Sequence, residues 1–263
     1  MKRPHILITN DDGILAPGIQ ALSDALHPIA DITVVAPAFE QSCVSLSVTT
    51  RTPLKIEKLT WKNSCNAFSV TGTPADCVKL ALNVILEKTP DMVVSGINRG
   101  TNAGRTILYS GTVAGAIEAS MHDIPAIAFS CSDYFDTDYE RASKHIPQIV
   151  QYLLSHPLTT GTLLNVNFPS KELSIRGFKM TKQGKEYWGE EPDERFHPVE
   201  GHAYYWMGSK LIVFEEEEDS DISWLQKGYI AAVPVNVGSL TDMRQLDEKR
   251  NHFENLMMEQ VFS

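Results

Sequence analysis

In the first part of the chain, short and nearly continuous apolar runs alternate with amphipathic segments. The apolar runs, each ending near polar or glycine residues, are residues 6–9, 32–36, 91–95, 124–129 and 163–168. Continuous runs of this kind are typical of parallel strands that are covered on both faces. After the first run, Ile19, Leu22 and Leu26 have the spacing of one helix face. Strands that alternate with helices predict an α/β fold with a doubly wound, mostly parallel sheet.

Two regions depart from this alternation. Residues 46–70 contain short alternating stretches such as Leu54-Lys55-Ile56-Glu57, which predict a small hairpin laid beside the main sheet. Further on, residues 204–207, a turn at 208–210 and residues 211–214 predict an extended β-hairpin. The acidic run at 215–221 is expected to form a solvated tip, since like charges repel one another.

The last segment, residues 242–261, has the apolar pattern of a helix with one hydrophobic face, formed by Leu246, Phe253, Leu256, Met257 and Val261. This face fits either the protein's own core or a neighbouring subunit, and the pattern leaves both open. We therefore expect a core over residues 1–170, with the insertion at about 46–70. Residues 171–263 are expected to form a hairpin and a C-terminal helix that are continuous with the core and used in oligomerisation.

Composition and charge exclude several classes of protein. The formal charge of −10 argues against a nucleic-acid groove. No apolar run approaches the ~20 residues that span a bilayer, and the run after Arg3 is too short for a signal peptide. We therefore expect a cytoplasmic protein without a membrane partner. Its four cysteines form no C-x-x-C pair and are expected to be buried thiols. No histidine pair has H-x-x-x-H spacing, so none is expected to bind metal.

The first apolar run ends in Asn10-Asp11-Asp12-Gly13. Neighbouring strand residues point to opposite faces, so both aspartates can serve one site only if the chain leaves the strand there. Gly13 permits such a turn. Two carboxylates at the end of a strand can seat a hard divalent cation. An Asp-Gly turn followed by a helix-capping aspartate explains the same residues, and both interpretations stay open.

Loops that follow two other strands carry further oxygen donors. Ser42 follows the second apolar run and Asn98 the third, and ligands of open parallel sheets bind at the carboxyl ends of the strands. The set Asp11, Asp12, Ser42 and Asn98 contains no histidine or cysteine, which favours Mg²⁺ or Mn²⁺ over Zn²⁺.

A possible anion site comes next along the chain. Ser110, Gly111 and Thr112 precede the helical pattern at 113–120, where a hydroxyl and free backbone amides can bind a phosphate. Ordinary helix capping by Ser110 and Thr112 is the alternative. For the helix start at Thr73-Pro74-Ala75-Asp76 we favour a purely structural role.

Taken together, several ordered blocks resemble the family of the stationary-phase survival protein SurE. The blocks are Asn10-Asp11-Asp12-Gly13 with Ala16-Pro17-Gly18-Ile19, Ala36-Pro37 leading to Gln41-Ser42, Gly72-Thr73-Pro74-Ala75-Asp76-Cys77-Val78, Ser95-Gly96-Ile97-Asn98-Arg99-Gly100-Thr101-Asn102, and Tyr109-Ser110-Gly111-Thr112-Val113. They cover residues 6 to about 130, and the later part of the chain resembles the family more loosely.

The resemblance implies a Rossmann-like fold and a metal-dependent 5′-nucleotidase that converts nucleoside monophosphates to nucleoside and phosphate. It implies one divalent ion held by Asp11, Asp12, Ser42 and Asn98, with phosphate contacts from residues 110–112. Members of the family also act on 3′-nucleotides and short polyphosphate. They form homodimers or homotetramers in which C-terminal elements are exchanged.

The chain departs from the family pattern at three positions. Cys43 stands where glycine is usual after the metal-binding serine, Gly115 where alanine is commoner, and Gly238 where aspartate is usual. The first departure bears on the backbone turn at Ser42. The last weakens the resemblance for the tail only.

The working hypothesis is metal-assisted hydrolysis of a phosphomonoester. Asp11 and Asp12 are the catalytic carboxylates that hold the ion, while Asn98 and the helix start at 110–112 accept the phosphate. Asn10 is a candidate for orienting a carboxylate or the substrate. Arg99 and Arg105 are candidates for relieving the repulsion between anions.

Two alternatives remain. An aspartate that attacks phosphorus directly would form a phosphoenzyme, but enzymes of that kind favour Asp-x-Asp, whereas Asp11 and Asp12 are adjacent. A nucleotide-binding module that senses without hydrolysis needs the same phosphate site. Such a sensing module would have little use for the paired carboxylates of Asp11 and Asp12.

Overall fold

A computed structural model describes residues 3–189, 191–207 and 210–261. Its strands are β1 (His5–Thr9), β2 (Asp31–Pro37), β3 (Ile56–Leu59), β4 (Asn66–Val70), β5 (Met92–Arg99), β6 (Ala126–Cys131), β7 (Thr162–Phe168), β8 (Gly177–Met180), β9 (Tyr187–Gly189), β10 (Asp193–Phe196), β11 (Ala203–Trp206), β12 (Lys210–Ile212) and β13 (Tyr229–Asn236). Its α-helices are α1 (Pro17–Leu26), α2 (Pro74–Leu80), α3 (Gly111–Met121), α4 (Tyr139–Ser143), α5 (Ile146–Ser155), α6 (Asp221–Gln226) and α7 (Met243–Val261).

Nine strands form the main sheet in the order β3-β4-β2-β1-β5-β6-β7-β13-β8. The run from β4 to β7 is parallel, and β13 pairs with β7 in the antiparallel direction. All five predicted strands are present. The α/β fold with a doubly wound, mostly parallel sheet is therefore confirmed.

Both faces of the sheet are covered because neighbouring residues of each strand point to opposite sides. Ile6 and Ile8 of β1 belong to a core shared with α1 and α5, whereas Leu7 belongs to a second core shared with α2 and α3. All three side chains are fully buried. The continuous apolar runs in the sequence follow directly from this two-sided burial.

The predicted hairpin insertion is an edge of the main sheet. Strands β3 and β4 are antiparallel to each other, and β4 pairs in parallel with β2. The helix α2 that follows begins with a complete capping box, in which Thr73 and Asp76 each bind the other's backbone amide. This confirms the structural role expected for that motif.

The extended hairpin exists, but its predicted pairing is wrong. Strand β11, which contains Tyr204, pairs with β10, and β12, which contains Leu211, pairs with β9. The two segments that were expected to pair with each other therefore pair with two different strands, both of which come earlier in the sequence. Gly208 and Ser209 of the predicted turn lie outside the described residues.

The acidic run at 215–221 is not entirely solvated. Its last residue, Asp221, is fully buried and begins α6. The Asp221 carboxylate accepts hydrogen bonds from the backbone amides of Gly104 at 3.0 Å, Gly184 at 2.8 Å and Ile222 at 2.9 Å. It therefore ties the loop before α3 to the second half of the chain, and burial raises its pKa despite these bonds.

The cysteines were expected to be buried, and this expectation holds for only two of them. Cys77 and Cys131 are buried, Cys65 is half-buried and Cys43 is exposed. Among the described residues, no helix is long and apolar enough to cross a membrane.

Candidate active site

β1 ends at Thr9, and the chain then turns at Gly13, whose φ of +96° is a conformation that other residues resist. The side-chain amide of Asn10 donates to the carbonyl oxygen of Gly13 at 2.9 Å and so fixes the turn. The buried oxygen of the same Asn10 side chain has no hydrogen-bond partner among the described residues. This turn lets the adjacent Asp11 and Asp12 both lie at the carboxyl edge of the sheet.

Asp11 lies against the first turn of α3. The Thr112 hydroxyl donates to the Asp11 carboxylate, and the Gln41 amide donates to the Asp11 carbonyl oxygen at 2.7 Å. A Cβ atom at Gly111 would lie 2.7 Å from the Cβ of Asp11. Only glycine at this position lets the helix start approach the carboxylate so closely.

Ser110 is the N-cap of α3, and its hydroxyl accepts the amide of Val113 at 3.1 Å. The alternative interpretation, ordinary capping, therefore holds for Ser110 but not for Thr112, whose hydroxyl donates to Asp11. Gly115, one turn further along, has no room for the commoner alanine, because a Cβ there would lie 2.7 Å from the methyl group of Thr9. The helix start and the carboxylates are held together by this close packing.

Asp12 has a different partner. Its side chain is 10% exposed, and its Oδ1 lies 3.5 Å from the Nε of Arg99 at the end of β5. The guanidinium of Arg99 also bonds Glu40 at 2.9 Å and lies over the ring of Tyr134 at 4.8 Å. Arg99 therefore partly neutralises Asp12, as expected of an arginine at this edge. Arg105, the other candidate, lies over the ring of Phe214.

Ser42 is connected to this group through Glu40, to which its hydroxyl donates at 2.6 Å. The next residue, Cys43, has φ of +55°, in the left-handed region that favours glycine. The backbone turn thus forms with cysteine in place of glycine, at a cost of about 1 kcal/mol. This answers the question that the departure at residue 43 raised.

Asn98 lies near the end of β5, where the pairing with β6 shifts register between Ser95 and Asn98. Its side-chain amide donates to the carbonyl oxygen of Gly100 at 2.8 Å. That bond leaves the side-chain oxygen of Asn98 available as a ligand. The four predicted ligands thus occupy the loops after β1 and β2 and the end of β5, which are neighbouring strands of the sheet.

The two aspartates have raised pKa values, but their electrostatic surroundings differ. The pKa of Asp11 is raised to about 7, first because the carboxyl is buried and second because Asp12 lies beside it. Burial also raises the pKa of Asp12, against the opposing effect of Arg99. The hydrogen bond from Ser42 and the charge of Arg99 lower the pKa of Glu40. The site thus has excess negative charge that a cation would relieve.

An open cleft of about 380 Å³ adjoins Asp12. Its lining residues are Asp12, Ala16, Pro17, Glu40, Arg99, Tyr134, Phe135, Thr137 and Tyr139. The sequence interpretation missed the aromatic residues, although they follow β6 and so lie at the same edge of the sheet as Asp12. It also missed Glu40, which lies in a loop already noted for Ser42.

Comparisons with known proteins show which proteins this chain is similar to. The family model described as Survival protein SurE matches residues 6–190. The 5′-nucleotidase SurE of Protochlamydia amoebophila is 53% identical over 258 residues, which cover 97% of this chain and 99% of that protein. The 5′-nucleotidase SurE of Christiangramia forsetii is 42% identical over 256 residues, covering 96% and 95%.

A solved structure is also similar. The crystal structure of the SurE protein from Aquifex aeolicus has a TM-score of 0.80 and 38% identity, and the match covers 95% of this chain and all of that one. The family match spans most of the chain, and the relatives are similar over nearly their full length. The chain therefore belongs to the SurE family.

Proposed function

We propose that this chain is a metal-dependent nucleotidase that hydrolyses nucleoside 5′-monophosphates to nucleoside and phosphate. The observation that carries the proposal is the placement of two adjacent carboxylates, with Asp11 against the start of α3 and Asp12 on a cleft with aromatic walls. The relatives are named 5′-nucleotidases, so a sensing module that does not hydrolyse is not supported. Action on 3′-nucleotides and short polyphosphate, and a cytoplasmic location, are further parts of the proposal.

The residues at this edge fit one divalent cation. We assign Asp11, Asp12, Ser42 and Asn98 as the residues that would hold it, and an oxygen-only set favours Mg²⁺ or Mn²⁺. The fit rests on the buried carboxylate of Asp11, which is hydrogen-bonded to Thr112 but forms no ion pair with a basic side chain of the described residues. When bound, the cation supplies Lewis-acid polarisation of the phosphoryl group and of water.

The chain's own groups supply the rest of the mechanism. The Gly111 and Thr112 backbone amides and the Ser110 hydroxyl would bind phosphate oxygens, since helix starts favour anions. The Thr112 hydroxyl donates to the Asp11 carboxylate and would orient that carboxylate beside the phosphate. Asn98 donates to the same phosphate and stabilises the charge that develops on it. Asn10 holds the turn that aims Asp11 and Asp12. Arg99, already between Asp12 and Glu40, offsets repulsion between the phosphate and these carboxylates.

The cleft suits the nucleoside half of the substrate. The rings of Tyr134 and Phe135 lie in an edge-to-face pair with centroids 5.1 Å apart, and Phe135 is almost fully exposed. Aromatic faces of this kind stack on nucleobases without selecting one base. We therefore expect AMP and GMP to be hydrolysed with similar efficiency.

The first test is release of phosphate from AMP by the purified protein. We expect turnover with added Mg²⁺ or Mn²⁺, none with excess chelator, and recovery when the cation is restored. The control is acid- or heat-inactivated protein under the same conditions. Undiminished release in chelator would contradict the metal-dependent proposal, and no release with any divalent cation would contradict hydrolysis.

We also propose a homodimer or homotetramer with exchanged C-terminal elements. Helix α7 presents Phe253 (62% exposed) and Leu256 (43% exposed), and the hairpin presents Trp206 (66% exposed). Exposed large apolar side chains on both elements are typical of surfaces that bind another protein chain.

Multi-angle light scattering checks this assembly. We expect the mass of two or four chains for the intact protein, and a smaller assembly when Phe253 and Leu256 are both changed to Glu. A matched change of the exposed Lys249 and Arg250 to Glu should leave the mass unaltered. A monomer at working concentration would refute the proposal.

A further inference from the structure

The loop between β10 and β11 brings two histidines together. The His197 amide donates to the His202 carbonyl oxygen at 2.9 Å, and the Gly201 amide donates to the His197 carbonyl oxygen at 3.0 Å. These bonds close the hairpin and set both side chains on one face. The two imidazole rings stack with centroids 5.0 Å apart and planes inclined by 14°. A search for H-x-x-x-H spacing, which places two histidines on one face of a helix, misses this pair because a hairpin brings His197 and His202 together.

A carboxylate completes the group. The Glu200 Oε2 lies 3.2 Å from the His202 Nδ1. One potential ligand atom from each of His197, Glu200 and His202 lies within 4.8 Å of the others. The three side chains are exposed or half-exposed, so small rotations suffice to bring the ligand atoms to the ~2.0–2.2 Å that zinc requires.

We propose that His197, Glu200 and His202 form a second metal site, which binds a borderline divalent transition metal such as Zn²⁺. Two imidazole nitrogens and one carboxylate oxygen are a ligand set that suits zinc, with further positions left to water. The oxygen-only set at the end of β1 suits Mg²⁺ or Mn²⁺ instead. The two sites therefore differ in ligand chemistry and are built from different residues.

Metal binding here would stiffen the loop. In the structure, the Nδ1 of His197 accepts hydrogen bonds from the backbone amides of Val199 at 3.4 Å and Glu200 at 3.1 Å, the first of which is long. Metal ligation replaces these with stronger bonds that join the two ends of the loop. The site does not depend on the proposed nucleotidase activity, and it lies on the hairpin that carries the exposed aromatic residues.

Isothermal titration calorimetry with Zn²⁺ tests the proposal on the full chain, prepared without a histidine tag and in excess Mg²⁺ to fill the oxygen site. We expect the unaltered protein to bind one more equivalent of Zn²⁺ than the His202→Ala variant. Glu200→Gln should lower the affinity of the protein for that additional Zn²⁺. His156→Ala is the matched control, since His156 is an exposed histidine that stacks on Tyr152 away from this loop.

The outcomes are distinguishable. Retention of the extra equivalent in His156→Ala and in Asp12→Asn, with its loss in His202→Ala, supports the site. Equal Zn²⁺ uptake by His202→Ala and the unaltered protein overturns it, as does loss of the equivalent in Asp12→Asn. Circular dichroism of each variant confirms that the fold is retained, and a His197→Ala variant provides a second removal of a ligand.

Discussion

Changing Asp12 to Asn should lower metal-dependent phosphate release from AMP by about 1,000-fold and leave the fold intact. The amide keeps the shape of the side chain but removes one of the two carboxylate charges assigned to the cation. A loss of roughly 4 kcal/mol of transition-state stabilisation corresponds to a factor of about 1,000. Arg99 retains its ion pair with Glu40, so the change does not leave the Arg99 guanidinium unpaired.

Steady-state phosphate release and thermal unfolding should be measured on the same preparations. Asp24→Asn is the matched control, since Asp24 is an exposed carboxylate on α1 that pairs only loosely with Lys62 at 3.7 Å. That variant should retain full activity. Activity of Asp12→Asn at the level of the Asp24→Asn control would remove Asp12 from its assigned role.

Changing Asp11 to Asn should stabilise the metal-free protein at neutral pH. The pKa of Asp11 is about 7 in the folded chain, against 3.8 for an unperturbed aspartate. Between these values the folded form keeps a proton that the unfolded form has lost. The free energy of unfolding therefore falls as pH rises through this window, by several kcal/mol. Asparagine does not titrate, and its oxygen can still accept the Thr112 hydroxyl.

Thermal unfolding in chelator, measured from pH 5 to pH 8, tests this expectation. The melting temperature of Asp11→Asn should exceed that of the unaltered protein at pH 8 by several degrees, and the difference should shrink towards pH 5. Added Mg²⁺ should narrow the difference at pH 8, because the cation stabilises only the protein that binds it. If the melting temperatures of the two proteins changed with pH in parallel, the result would contradict a raised pKa for the buried Asp11 carboxyl.

The parallel core could be predicted from the sequence because its signals are local and redundant. Residues 6–8 are apolar on both faces and are followed closely by Asn10 and Asp11, which favours a buried strand that enters a turn. The order of the loops then placed Ser42 and Asn98 at the same edge of the sheet. The sequence pattern thus predicted which edge of the sheet carries the site, whereas the individual contacts could be read only from the structure.

The hairpin pairings could not be predicted in the same way. Tyr204 and Leu211 belong to short alternating stretches, and alternation shows which side chains share a face without naming the partner strand. The contacts of Arg99 with Glu40 join residues far apart in the sequence. Asp221 looked like the end of a solvated acidic run, yet backbone amides from two distant loops surround it.

The burial of Asp221 has a consequence for how the two halves of the chain depend on each other. This carboxylate fastens the segment that leads into Ser110, so the position of the helix start that we propose as the phosphate site depends in part on a residue more than a hundred positions downstream. A shortened chain that ends before α6 would keep every assigned ligand and still lose that anchor. We therefore expect a nascent chain to position this helix start fully only after the segment that carries Asp221 has been synthesised and docked.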